Sequence, residues 1–144
     1  MRFKGDYDFL SNFYPCEIYF LGIKFPSAEH AYVAAKTTER FIRMEIANLP
    51  TPGEAKRFGR DLDLDLRPDW DDIKVDVMEQ LILLKFVDQH PELGKRLAAI
   101  PEDIEIIEHN TWHDNFWGIC ECGRCEGGQN ILGSLLQSTR KAAQ

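Results

Sequence analysis

The sequence predicts a mainly α protein with a small β portion: one domain over residues 1–144, an N-terminal β-hairpin followed by a helical bundle. Three observations predict it. Two short β-prone runs, Glu17–Phe20 and Ile23–Phe25, flank the turn pair Leu21-Gly22. Apolar residues recur at helical spacing through the middle and the end of the chain. Finally, 144 residues with 44% apolar and 28% charged content are enough to bury an ordinary core and match a folded soluble protein.

The bulk numbers also bound function. A net charge of −7 argues against broad electrostatic binding to nucleic acid, while leaving room for a local basic pocket. No run of about 18 apolar residues occurs, so no membrane span is expected. Met1-Arg2-Phe3-Lys4-Gly5-Asp6 lacks the apolar core of a signal peptide, which makes the cytoplasm the expected location. Reduced thiols are the corresponding expectation for Cys16, Cys120, Cys122 and Cys125.

Taken in order, the hairpin is preceded by Phe9-Leu10-Ser11-Asn12-Phe13-Tyr14-Pro15, an aromatic-rich loop. It serves equally as a cap on the core or as a pocket with stacking surfaces and a bidentate amide. Pro26-Ser27 then starts a helix over Ala28–Lys36, with Ser27 as N-cap and four alanines keeping its surface thin. Helix continues over residues 38–49, with Phe41, Ile42 and Ile46 as its core face. Leu49-Pro50-Thr51-Pro52-Gly53 breaks it. Thr51 caps a short helix from Gly53 to Phe58, which Gly59 is expected to end. Arg60 to Arg67 is charged and expected on the surface. The longest helix runs from about Asp71 to Asp88, burying Val75, Met78, Leu81, Ile82, Lys85 and Phe86. A short helix follows from His90-Pro91 to Leu97. Asp103–His109 alternates like a strand, and Asn130–Lys141 closes the chain as a helix with Ile131, Leu132, Leu135 and Leu136 inward.

Three places could carry chemistry. Glu29 and Lys36 stand two helical turns apart on one face, roughly 10 Å along the axis, too far for an i,i+4 pair but suited to an acid and an amine facing one bound sugar or nucleotide. The segment Asn110–Gly118 packs Trp112, His113, Asp114, Phe116 and Trp117 behind a strand, a common place for a site. Its structural alternative has both tryptophans in the core and Asp114 capping a turn. Third, Cys120-x-Cys122-x-x-Cys125 has knuckle spacing for zinc but lacks a second knuckle. Cys16, His113 or His109 could complete it only if the fold brings one near. The expectation is therefore a hairpin-like loop, Glu121 to Gln129, with reduced cysteines and no metal.

The order FLSNFYP, FPSAEHAYVAAK, Arg67-Pro68-Asp69-Trp70, NTWHDNFWG and GQNILGSLLQSTR resembles the YbiA-like, or NADAR, family from about Asp8 to Arg140. The resemblance implies a compact, mainly helical domain with N-glycosidase activity and no cofactor. Its substrates would be phosphorylated ribosides, either a riboflavin-pathway ribosylaminopyrimidine phosphate or ADP-ribosylated guanine in nucleic acid. The alternative reading is a non-catalytic module that binds ADP-ribose or an NAD derivative. The resemblance implies Lys36 as nucleophile, with Glu29 and Asp114 sharing proton transfer and charge stabilisation. Asn12 would bind the sugar or phosphate, and Tyr14 and Trp117 would stack on the base. Trp70, Trp112 and Asn130 complete the expected substrate contacts. One departure is Gln137, where the family frequently carries Met.

Overall fold

The computed structural model describes residues 2–63 and 65–144; Leu64, inside the charged Arg60–Arg67 stretch, lies outside them. Contacts group the chain into two units, Asn12–Gln89 and, separately, the residues up to Ser11 with His90–Gln144.

In the Asn12–Gln89 unit the hairpin forms where the sequence places it. Strands β1 (Pro15–Phe20) and β2 (Ile23–Ser27) are antiparallel, with Ile18 opposite Phe25 and Tyr19 opposite Lys24. Leu21 and Gly22 both take positive φ, 56° and 74°, the geometry of a tight turn whose twist suits the strands. Alternation sends Ile18, Phe20 and Phe25 inward and leaves Tyr19 exposed. Between the pairs Pro15–Ser27 and Ile18–Phe25, β1 carries one extra residue, a bulge that bends the strand. The side-chain amide of Gln89 completes β1 by accepting from Tyr19 N–H at 2.8 Å and donating to its carbonyl at 2.9 Å.

Helix α1 (Ala28–Ala35) is the hub of this unit, packing on both strands and on three helices: α2 (Arg40–Ala47), α3 (Pro52–Leu62) and α4 (Trp70–Leu83). Alanine makes this possible. Ala28, Ala31, Ala34 and Ala35 are at most 2% exposed, so five neighbours approach a backbone with almost no side-chain bulk. Ser27 caps the helix by accepting from His30 N–H at 3.2 Å. At the other end, Arg43 donates to the carbonyls of Ala34 and Thr37, and Arg67 to that of Ala35, placing cations where the helix dipole is negative.

Two local expectations need correction here. Phe41 is 81% exposed; α2 is a two-turn helix that buries only Ile46. Gly59 does not end α3 but lies within it, where a Cβ would stand 3.0 Å from a Val33 methyl. The glycine is a close-approach position between α3 and α1, not a stop signal. Downstream, α4 buries Trp70, Val77, Met78, Leu81 and Ile82 and passes into a π-helical turn, Leu84–Gln89, that buries Lys85 and Phe86.

In the other unit a 3₁₀ segment, Gly5–Leu10, buries Phe9 and Leu10. Helices α5 (Pro91–Ala98) and α6 (Ile131–Ala143) pack together, and Leu93, Leu97, Leu132 and Leu136 are buried on them. The expected strand Asp103–His109 shrinks to β3 (His109–Asn110), paired in parallel with β4 (Ile119–Cys120). The physical reason is that side chains around α6 take the place of a neighbouring strand. Asn130 accepts from Glu108 N–H and donates to the Ile106 carbonyl, Gln137 accepts from Ile106 N–H, and Arg140 donates to the carbonyls of Pro101 and Ile104. Much of the backbone from 101 to 108 thereby finds partners without a sheet. Among the described residues no helix is long and apolar enough to cross a membrane.

Candidate active site

The expected site residues divide between the units: Asn12, Tyr14, Glu29, Lys36 and Trp70 in one, Trp112, Asp114, Trp117 and Asn130 in the other.

Lys36 sits at the C-terminal end of α1 with 13% of its side chain exposed. Its Nζ donates to Asp63 Oδ1 at 2.8 Å and lies 5.9 Å from the centre of the Tyr32 ring. Tyr32 in turn packs on Trp70 at 5.3 Å between ring centres. Trp70 is 5% exposed, so it supports Tyr32 from within the core. The carbonyl of Lys36 accepts from Arg67 N–H at 3.0 Å, tying the α1 terminus to the entry of α4. Arg67 also holds Asp69 with two bonds, at 2.6 and 3.1 Å, keeping that carboxyl below its ordinary pKa. Asp63 is the observed partner of Lys36, and sequence reasoning missed it. It lies 27 positions from Lys36 in a stretch that reads as solvated charge.

Glu29 is half-buried in the first turn of α1, the only residue of Ala28–Ala35 that is not fully buried. Its N–H donates to the Asn12 carbonyl at 3.0 Å, so the aromatic loop is fastened to the helix start. The Asn12 amide reaches Met78 Sδ at 3.4 Å. Tyr14 lies beneath a second lysine: Lys85, 1% exposed, has its Nζ 5.5 Å from the Tyr14 ring centre and 5.0 Å from that of Phe86.

On the other unit, Asp114 is held by its neighbours. One carboxylate oxygen accepts from the N–H groups of Phe116 and Trp117, at 3.1 and 3.0 Å. Asn110, 2% exposed, accepts from Asp114 N–H at 3.1 Å and donates to its carbonyl at 2.7 Å. The turn-capping reading of Asp114 therefore holds for one oxygen. Trp112, at 55% exposed, does not plug the core. Trp117 is half-buried against the edge of Phe116, 4.8 Å away. Asn130 is 6% exposed and takes φ 49°, and both ends of its amide bond the backbone of Ile106 and Glu108. Its observed task is structural: both amide ends are taken up by backbone. Gln137, the departure from the family pattern, supplies the bond to Ile106.

Two open surface grooves, one beside β1, β2 and Asn48 and one beside α6 and Glu102, contain none of the expected catalytic residues.

Residues 2–143 match the NADAR domain. The chain belongs to the NADAR family. It is 36% identical to N-glycosidase YbiA of Escherichia coli over 96% of its own length and 82% of the relative's. It is 33% identical to N-glycosidase Npun_R5314 of Nostoc punctiforme, covering 94% of this chain and 85% of that one. It is also 34% identical to riboflavin biosynthesis protein VVA0006 of Vibrio vulnificus, but spans only 36% of that longer protein. The NMR structure of E. coli YbiA superposes with a TM-score of 0.81 at 33% identity, covering 99% of this NADAR chain and 83% of that one. The mainly helical fold with its small β portion is thus that of YbiA.

Proposed function

We propose that this NADAR protein hydrolyses the C1′–N bond of a phosphorylated riboside, with Lys36 as nucleophile. Its kinship with N-glycosidases over nearly the whole chain supports a hydrolase of N-glycosyl bonds. The observation that carries the residue assignment is Lys36 itself: an amine with 13% of its side chain exposed, fixed by Asp63, beside the Tyr32 ring and at the end of the helix that carries Glu29.

The chemistry follows from these groups. Asp63 holds the Lys36 ammonium in place, and the ammonium first passes a proton to a neighbouring carboxylate so that the free amine can attack C1′. Attack forms a C1′–N bond to lysine as the bond to the base nitrogen breaks, and that nitrogen takes up a proton. The ribose ring then opens to a Schiff base, which water hydrolyses to free the sugar and the amine. Positive charge develops at C1′ during attack, and a carboxylate stabilises it. Glu29 and Asp114 are assigned that stabilisation and the proton transfers. Glu29, in the first turn of α1, is favoured as the ionised partner by the helix dipole. Tyr14 and Trp117 supply stacking surfaces for the base, and Asn12 a polar contact for the sugar or phosphate.

For the substrate, riboflavin biosynthesis appears in the names of two relatives, from Vibrio vulnificus and Zea mays. This favours a ribosylaminopyrimidine phosphate over ADP-ribosylated guanine. The test offers wild type and Lys36→Ala both substrates, follows base release and traps adducts with borohydride. Release by wild type alone, with a trapped adduct of the pyrimidine phosphate, is expected. Release only from the guanine substrate would replace the substrate assignment. Unchanged turnover in Lys36→Ala would remove the Schiff-base step, and tight ADP-ribose binding without any release would make the protein a binding module.

A further inference from the structure

We propose that His113, Cys120, Cys122 and Cys125 hold one zinc ion, which pins the loop that carries Trp112, Asp114 and Trp117. In sequence the three cysteines lack a second knuckle, and a fourth ligand has to come from the fold. The fold supplies it. His113 Nδ1 stands 3.3 Å from Cys125 Sγ, 3.5 Å from Cys122 Sγ and 3.8 Å from Cys120 Sγ. All four ligand atoms lie within 4.8 Å of one another.

Hydrogen bonding does not account for this convergence. One imidazole nitrogen either donates or accepts a single hydrogen bond, yet three sulfurs surround it. Tetrahedral coordination does account for it. With Zn–S near 2.3 Å and Zn–N near 2.05 Å, nitrogen and sulfur stand about 3.6 Å apart. The three observed separations bracket that value.

The surroundings are those of a built metal site. His113 takes φ 68°, the left-handed region that a non-glycine residue adopts at a cost of about 1 kcal/mol and that calls for a compensating interaction. Cys120 is 5% exposed and positioned twice over, by the β3–β4 pairing and by its N–H on Asn115 Oδ1 at 3.0 Å. The N–H of Arg124 points at Cys122 Sγ at 3.4 Å, a donor that stabilises a thiolate. Three thiolates and an imidazole select a soft, tetrahedral ion such as zinc. Four protein ligands close the coordination sphere, so the ion is structural and offers no open position for substrate. Zinc takes the cysteines as thiolates, so binding is pH-dependent and releases to solvent whatever protons they carry. Because His113 immediately precedes Asp114, the ion would fix the turn that presents this acid.

The inference stands on the four ligands alone and does not depend on the glycosidase reading. The full chain, purified without a histidine tag and kept reduced, is assayed for metal by mass spectrometry of the elements. About one zinc per chain is expected after gel filtration, and less than roughly a tenth of that in Cys122→Ser or His113→Ala. Cys16→Ser, outside the cluster, is expected to keep its metal. Should the ligand variants fail to fold, titration of metal-free wild type with Co(II) gives the same answer. Intense ligand-field bands of tetrahedral cobalt with a thiolate charge-transfer band are expected, and both disappear on adding zinc. Metal-free protein with no such spectrum, or a disulfide among these cysteines in the purified protein, would overturn the site. Neither readout involves turnover.

Discussion

The Nζ of Lys36 lies 2.8 Å from Oδ1 of Asp63, joining the end of α1 to the end of α3 across 27 positions of sequence. The pair is unequal, with 13% of the lysine side chain exposed against 49% of the aspartate. Water screens such a contact, so Asp63→Asn is expected to lower stability by no more than about 1 kcal/mol. Its effect on turnover should be larger. With the amine no longer aimed, base release is expected to fall on the order of tenfold, while borohydride trapping through Lys36 persists. A variant as active as wild type would show that Asp63 does not orient the amine.

His30 makes stability depend on pH. It is fully buried, with Nδ1 2.6 Å from Ser27 Oγ and Nε2 3.0 Å from the Leu49 carbonyl. The neutral ring suits both partners, accepting from the hydroxyl and donating to the carbonyl. Burial lowers its pKa from the usual 6.5, and the Leu49 bond opposes this only in part. The unfolded chain therefore takes up a proton that the folded one refuses. Stability is full above about pH 7 and falls as the pH drops through 6.5, by at most about 1.4 kcal/mol per pH unit from this group. Urea unfolding of wild type and His30→Gln at pH 7 and 5.5 reads the difference. Equal losses in the two proteins would exclude His30 as the cause.

Asn130 combines a left-handed backbone with two buried hydrogen bonds. Asn130→Ala loses both bonds and strains the backbone, an expected cost of about 2–4 kcal/mol. Asn130→Gly loses the bonds but relieves the strain, so it should be the milder variant by roughly 1 kcal/mol. The opposite order in thermal unfolding would show that side-chain bulk, not backbone geometry, governs this position.

At Gly59 the close contact with Val33 sets the sign. Alanine normally favours a helix interior over glycine by about 1 kcal/mol, but here its Cβ would meet two Val33 methyls at 3.0 and 3.2 Å. Because Val33 is 1% exposed and has nowhere to retreat, Gly59→Ala is expected to destabilise by about 1–2 kcal/mol. Combining it with Val33→Ala should recover at least about 0.5 kcal/mol over additivity. Strict additivity in a double-mutant cycle would mean the two helices do not touch through this pair.

By itself, the sequence determined the pieces whose cause is local. Turn chemistry at Leu21-Gly22, the caps Ser27 and Thr51 and the stripe from Met78 to Phe86 act within a few residues and appear where the pattern puts them. The motifs around Glu29, Lys36 and Asp114 were likewise legible, because they are contiguous. Tertiary structure alone decided the partners. Asp63 reads as solvated charge until α3 lays it beside Lys36, and Gly59 reads as a helix stop until Val33 is found against it. Residues 103–109 have the alternation of a strand, yet Asn130, Gln137 and Arg140 satisfy much of that backbone instead. His113 and the three cysteines meet only because the chain turns back between Asp114 and Cys120. The physical reason is common to all four. Periodicity and capping are energies of neighbours in sequence, whereas a hydrogen bond or a ligand sphere between distant residues depends on the path of the whole chain.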